Sequence, residues 1–224
     1  MILDFDKWQG KFKNKRCFII GSAPSINEEK LWLLKDEVII TVNLSFKAET
    51  LGLPKSSFYV LTDLRVYDEN QQEILKKSVE PRFYNSNISN NEHYNNGPQE
   101  DYIPIQKSDL TKFDIDKGVM PNQFKAGWGK VRTVVLDAAI MAFFMGFSEI
   151  YLLGADFNFQ VGKNTHFYGN NVNYNPEIKK IFKISRTVDF LNNFFIKHGI
   201  KMINLSKNYK NNLKFHTNRL ENIL

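Results

Sequence analysis

The sequence predicts an α/β protein of Rossmann-like type, a doubly wound, mainly parallel sheet forming a single domain over residues 1–224. Three observations carry that expectation. Short runs that are apolar at consecutive positions alternate with longer stretches of helical periodicity. Small or polar residues stand directly after these runs, where the strands of such a sheet end. The length, 224 residues, allows one sizeable core and lies near the upper limit for one.

The first apolar run, residues 17–20, reads as a strand covered on both faces. It ends in Gly21-Ser22-Ala23-Pro24-Ser25, followed by an amphipathic stretch at 26–34. Ser25 with Glu28 fits a capping box, which sets a helix start just after Pro24. Further strands are expected at 38–42, 58–61, 150–153 and 201–203. Helices are expected over 131–145, closed by Gly146, and over about 177–198, closed by Gly199. The core so defined runs from about 16 to 205. Residues 85–101, rich in Asn with Gly and Pro, read as a polar surface loop, 171–176 as a shorter one, and 207–224 as a basic C-terminal tail.

Charge and cysteine use exclude several function classes. The net charge of +6 reports attraction to anions but does not choose among them. Lys7, Lys11, Lys13, Lys15 and Arg16 precede the first strand, and Lys201, Lys207, Lys210, Lys214 and Arg219 lie near the C-terminus. Neither group sits in a helix-turn-helix, an RNA-recognition signature or a zinc finger, so no nucleic-acid partner is expected. They read as solvated basic segments, with peripheral contact to an anionic membrane as the alternative. Cys17 is the single cysteine, so an internal disulfide is impossible. No apolar run reaches transmembrane length and residues 1–10 do not read as a secretory leader, so the expectation is a cytoplasmic protein, with the inner membrane face as its alternative location.

Functional groups gather at the expected strand ends. Gly21-Ser22 follows the first strand, Asn43 the second, Thr62-Asp63 the third, Gly154-Ala155-Asp156 the fourth, and Asn204, read as a turn residue, the fifth. The turn from Gly21 to Ser25 is neither a Walker loop nor a dinucleotide fingerprint, and reads as a generic phosphate turn at a helix N-terminus. Gly127-Trp128-Gly129-Lys130-Val131-Arg132-Thr133 opens the next helix, and Arg132 there is able to fork onto a phosphate. His166, beyond Asp156 and beside Tyr168, is the candidate general base, and Tyr168 a donor to a phosphate oxygen. His93 and His216 read as loop residues and His198 as a helix C-terminal cation. With no Asp-x-Asp pair and no helical His-x-x-x-His, no metal is expected.

The segments 16–25, Val42-Asn43, 59–63, 146–156 and His166-Phe167-Tyr168 together resemble the MptE-like (6-hydroxymethylpterin diphosphokinase-like) domain of bacterial polysaccharide and flagellin-glycosylation loci. That domain is similar in turn to the family 42 sialyltransferases, whose first turn reads Gly-Asn-Gly-Pro-Ser. On the sialyltransferase side, the resemblance implies metal-independent binding of a CMP-sugar. The first turn and Asn43 would contact the nucleotide, Thr133 would stand near it, and a histidine after the fourth strand would deprotonate the acceptor hydroxyl. On the pterin diphosphokinase side, it implies Asp63 and Asp156 as magnesium ligands with ATP.

The leading expectation is therefore a glycosyltransferase of surface polysaccharide or glycan biosynthesis. It would use a nucleotide-activated sugar, with a CMP-sialic-acid-like donor as one case. A glycan or lipid-linked acceptor would take the sugar, and no cofactor would be needed. His166, Asp156 and Tyr168 would form its catalytic set. Gly21, Ser22, Ala23, Pro24, Ser25, Asn43, Thr62, Asp63, Arg132, Thr133 and Gly154 would hold the nucleotide. The alternatives are an ATP- and magnesium-dependent diphosphokinase and a non-catalytic nucleotide-binding partner in a glycan assembly complex. A homo-oligomer is compatible with each.

Overall fold

The computed structural model describes residues 7–85, 102–105, 131, 133–157, 165–169, 178–207 and 216–224. The strands are β1 (Arg16–Ile20), β2 (Ile39–Val42), β3 (Phe58–Leu61), β4 (Arg82–Asn85), β5 (Tyr102–Ile105), β6 (Glu149–Leu153), β7 (Lys201–Asn204) and β8 (His216–Thr217). They form one eight-stranded sheet in the order β5-β4-β3-β2-β1-β6-β7-β8, with every neighbouring pair parallel. The α-helices are α1 (Leu64–Lys77), α2 (Val134–Met145) and α3 (Ile178–Lys197).

The expected strands appear within a residue or so of their expected bounds, because their side chains alternate between two buried faces. Cys17 and Ile19 pack with α2 and α3, while Phe18 and Ile20 pack with Ile26, Leu31 and Leu34 on the other face. All four of these β1 side chains are fully buried. Complete burial of a large apolar side chain contributes about 1.5–3 kcal/mol. β1 therefore anchors both layers of the core.

Helix α2 is apolar nearly all round because it lies beneath the sheet centre, against β1, β2, β3 and β6. It ends at Gly146, whose φ of 92° suits glycine, and a Cβ there would stand 3.0 Å from the Cα of Gly10. That close approach docks the N-terminal segment, with Phe12 stacked on Phe147 and Trp8 edge-on to Phe58. Gly199, at φ 72°, follows α3 as expected.

Several expectations need correction. Residues 26–34 do not form an α-helix. Two short 3-10 turns, Pro24–Glu28 and Leu31–Leu34, take its place, and Glu29 between them is extended. No side chain caps the first of these turns, because the Ser25 hydroxyl donates to Asp156 instead. Glu29 is drawn into a buried position where its carboxylate accepts from the Lys207 amide.

Helix α1 and strands β4, β5 and β8 were not expected, and His216 begins β8 rather than lying in a loop. Pro104 fits β5 because that strand is at the sheet edge. The basic segments are not wholly solvated either. Arg16 donates to Glu37 and to the Ile223 carbonyl, and Lys207 pairs with Glu29. Of the polar loop 85–101, only Asn85 lies within the described residues, as the last residue of β4. Residues 127–130, Arg132, His93, the loop 171–176 and residues 208–215 of the tail lie outside them.

Candidate functional site

Strand order reverses at β1. The chain runs outward from β1 through β2, β3, β4 and β5, then returns to place β6 on its other side. In an open parallel sheet the loops leaving two such strands diverge and leave a crevice at their carboxyl ends. That crevice lies between the turn after β1 and the segment after β6, and it gathers much of the expected site.

The inner wall is made by two glycines. A Cβ on Gly21 would lie 2.3 Å from the Gly154 carbonyl oxygen, and a Cβ on Gly154 the same distance from Ile26 Cγ1. Gly154 also has φ 60°. The close approach lets the Gly21 amide donate to the Leu153 carbonyl at 2.7 Å and the Ala23 amide to Gly154 at 2.9 Å. The Ser25 amide donates to Asp156 Oδ2 at 3.2 Å, and the Ser25 hydroxyl donates to Oδ1.

These amides are engaged by the end of β6, and the helix expected behind them is a five-residue 3-10 turn. The turn therefore does not present a row of unpaired helix N–H groups, as the sequence suggested. Pro24 opens the 3-10 turn and brings no amide proton. Asp156 is buried, which raises its pKa, while the two Ser25 hydrogen bonds oppose that rise.

The outer wall is different. Ser22 Oγ and His166 Nδ1 lie 3.1 Å apart, a hydrogen bond in either tautomer, and the Phe167 amide donates to the Ser22 carbonyl at 2.9 Å. Tyr168 stacks on His166 with ring centroids 5.1 Å apart. His166 is half-buried, and burial lowers its pKa, so the imidazole is neutral near pH 7 and able to accept a proton. Burial raises the Tyr168 phenol, opposed by the Ser22 hydroxyl, and Tyr168 remains 36% exposed. Asp156 and His166 thus serve different serines of one turn.

The remaining expected residues follow other strands or open a helix. Asn43 follows β2 with φ 48°, and its Oδ1 is buried without a hydrogen-bond partner. Thr62 lies half-buried beyond β3. Asp63 caps α1 by accepting from the Arg65 amide, and it also pairs with the Arg65 guanidinium at 3.3 Å. Thr133 is the N-cap residue of α2 and makes no side-chain cap bond. Asn204 is more than a turn residue. It is fully buried and its side-chain amide donates to the Ala155 carbonyl, while Ser206 Oγ accepts from the Ala155 amide at 2.8 Å.

Sequence reasoning missed Lys47, in the 3-10 helix Ser45–Leu51 after β2. Its Nζ lies 5.3 Å from the Tyr168 ring centroid and 2.9 Å from Glu73 Oε2. No motif marks this lysine, and only the fold brings it to Tyr168. Among the described residues, no three His, Cys, Asp or Glu side chains are grouped to hold a metal ion. Among them, too, no helix is long and apolar enough to cross a membrane.

No protein-family model and no curated protein matches the chain. Solved structures share its fold. The sialyltransferase CstII from Campylobacter jejuni, in complex with a substrate analogue, cytidine-5'-monophosphate, is similar with a TM-score of 0.53 at 16% identity. That match covers 91% of this chain and 93% of that one. The MAf glycosyltransferase from Magnetospirillum magneticum AMB-1 is similar with a TM-score of 0.57, also at 16% identity, over 95% of this chain and 34% of that one. At such identity the likeness is one of fold. The fold agrees with the one that the sialyltransferase side of the resemblance implies, while the MptE-like side rests on sequence motifs alone.

Proposed function

We propose that this chain is a glycosyltransferase that takes a nucleotide-activated sugar, with a CMP-sialic-acid-like donor as the specific case, in surface glycan assembly. The observation that carries this reading is the Ser22–His166–Tyr168 cluster at the β1/β6 crevice. There a neutral imidazole stands hydrogen-bonded beside a partly exposed phenol. The fold shared with a sialyltransferase solved with a cytidine nucleotide supports the choice of donor class.

In this reading the acceptor is the hydroxyl of a glycan or lipid-linked sugar, presented at the inner membrane face. Its oxygen forms a bond to the anomeric carbon of the donor. The bond from that carbon to the nucleotide phosphate oxygen breaks, its electron pair staying on the phosphate. The hydroxyl proton passes to the lone pair of His166. Tyr168 and Ser22 donate to the charge that grows on the leaving phosphate. Asp156 acts indirectly, by fixing the turn that carries Ser22. In this reading transfer is independent of a divalent cation, and the engagement of Asp63 by Arg65 and of Asp156 by Ser25, the two carboxylates named for magnesium, supports that choice.

The test is hydrolysis of CMP-, UDP- and GDP-sugars, with water in place of the unidentified acceptor. His166→Ala should lower turnover on the preferred donor by roughly a hundredfold or more while leaving donor affinity in place. The acid limb of the wild-type rate profile should fall below about pH 6.5, because burial depresses the imidazole pKa. Unchanged turnover in the variant would remove His166 from the chemistry. Loss of activity in EDTA, restored by magnesium, would replace this reading with the diphosphokinase-like one, and donor binding without turnover would favour the non-catalytic partner.

A further inference from the structure

The turn after β1 has its Gly21, Ala23 and Ser25 amides engaged by the end of β6, so a nucleotide phosphate in this crevice needs positive charge from elsewhere. Lys47 is placed to supply it. Its ammonium lies over the face of Tyr168, whose ring stacks on His166, which in turn meets Ser22. A cation, a phenol and a serine hydroxyl thus follow one another along a single wall. The Lys47 side chain is 27% exposed, partly withdrawn from the ions that screen a surface lysine.

Its partner does not neutralise it. Glu73 accepts from Lys47 at 2.9 Å and from Lys77 at 3.0 Å, so one negative charge is shared between two positive ones and the trio keeps a net +1. These hydrogen bonds hold the Glu73 carboxyl below its ordinary pKa, so it stays a carboxylate through neutral pH. An ammonium has three N–H donors, which leaves Lys47 with donors beyond the one facing Glu73.

From this geometry we infer that Lys47 is the phosphate-binding cation of the crevice, meeting the monophosphate of the nucleotide beside Tyr168 and Ser22. The inference rests on the nucleotide-sugar reading above and assigns a role that the sequence motifs do not.

The experiment is calorimetric titration of CMP, UMP, GMP and AMP, each against its nucleoside, into the wild type, Lys47→Met and Lys47→Arg. Methionine keeps the apolar stem and removes the charge, while arginine keeps the charge. The wild type should prefer the monophosphate. Lys47→Met should weaken it roughly tenfold or more while leaving the nucleoside unchanged, and Lys47→Arg should recover most of the difference. Added salt should erode the preference in the wild type more than in Lys47→Met. Equal weakening of nucleoside and nucleotide, or an unchanged ratio, overturns the assignment and leaves the nucleotide reading standing. If the folded wild type binds no member of the panel, both fall together.

Discussion

Ser22 and Ser25 belong to one turn, yet Ser25 is fully buried with its amide and hydroxyl both given to Asp156, whereas Ser22 is half-buried and faces His166. The difference separates a buried, fully engaged half from a partly exposed polar half within five residues. The inner half is set by the contact of Gly21 with Gly154 and by hydrogen bonds that leave little for a ligand. The outer half keeps polar atoms in partial contact with water, where an incoming hydroxyl or phosphate is able to reach them. A site of this kind needs both. The buried side removes conformational freedom that the exposed side would otherwise lose on binding.

The largest way to break this division is Gly21→Ala. The new Cβ would meet the Gly154 carbonyl oxygen at 2.3 Å, and both partners are backbone, so β1 and β6 would have to separate. The expected loss is about 3 kcal/mol, seen as a fall of roughly 10 °C in a thermal melt. A melt like that of the wild type would show that the strand ends do not depend on this approach.

Ser25→Ala is the next in size and sharpens the comparison through pH. The folded pKa of Asp156 lies above its unfolded value, so between the two the folded state holds a proton that the unfolded state has released. Stability from this group therefore falls as pH rises through that window. Both Ser25 hydrogen bonds favour the carboxylate; the substitution removes the hydroxyl one and keeps the amide one, so it raises the folded pKa further and widens the window. The variant should lose about 1–3 kcal/mol at neutral pH and less near pH 4. Denaturant titrations at the two pH values check this, and a loss that does not depend on pH would mean that Asp156 is not ionised there.

Asn43→Gly should have the smallest effect on stability. Glycine takes the φ of 48° without strain, and the side-chain oxygen it removes has no hydrogen-bond partner. The melt should stay within about 1 kcal/mol of the wild type, while the stabilisation produced by added nucleotide shrinks. Full nucleotide stabilisation in the variant would place Asn43 outside the site.

These contrasts mark what a sequence reveals. β1, β2, β3, β6 and β7 were legible because burial on both faces leaves consecutive apolar residues, and α2 and α3 because Gly146 and Gly199 end them. Helix α1 was hidden by its polarity, since only Tyr67 and Ile74 of its residues are buried. β4 begins with Arg82, a residue rarely found inside, which is buried here by hydrogen bonds to Ser78 and the Leu75 carbonyl. β8 is too short to leave a pattern.

Around the crevice, Ser22, Asn43 and Gly154 stand at strand ends as the sequence suggests, and His166 is singled out because it follows the strand end that supplies Asp156. Ser25 and Glu28 imitated a capping box because spacing alone cannot tell a helix cap from a hydroxyl claimed by a carboxylate beyond another strand. Lys47 had no local signal, since its place beside Tyr168 exists only once β2 and the segment after β6 share one edge.

The pairing of β1 with β6 also governs when the site comes into being. Arg16 lies opposite Glu149, a separation of 149 − 16 = 133 positions, and this contact makes the crevice. Pairing across so long a stretch of chain is slow, because the entropy of closing the loop is lost before the contacts repay it. A chain that has not yet joined β1 to β6 therefore has Ser22 but no His166 beside it, and the crevice comes into being with that one long-range pairing rather than growing in proportion to structure already formed.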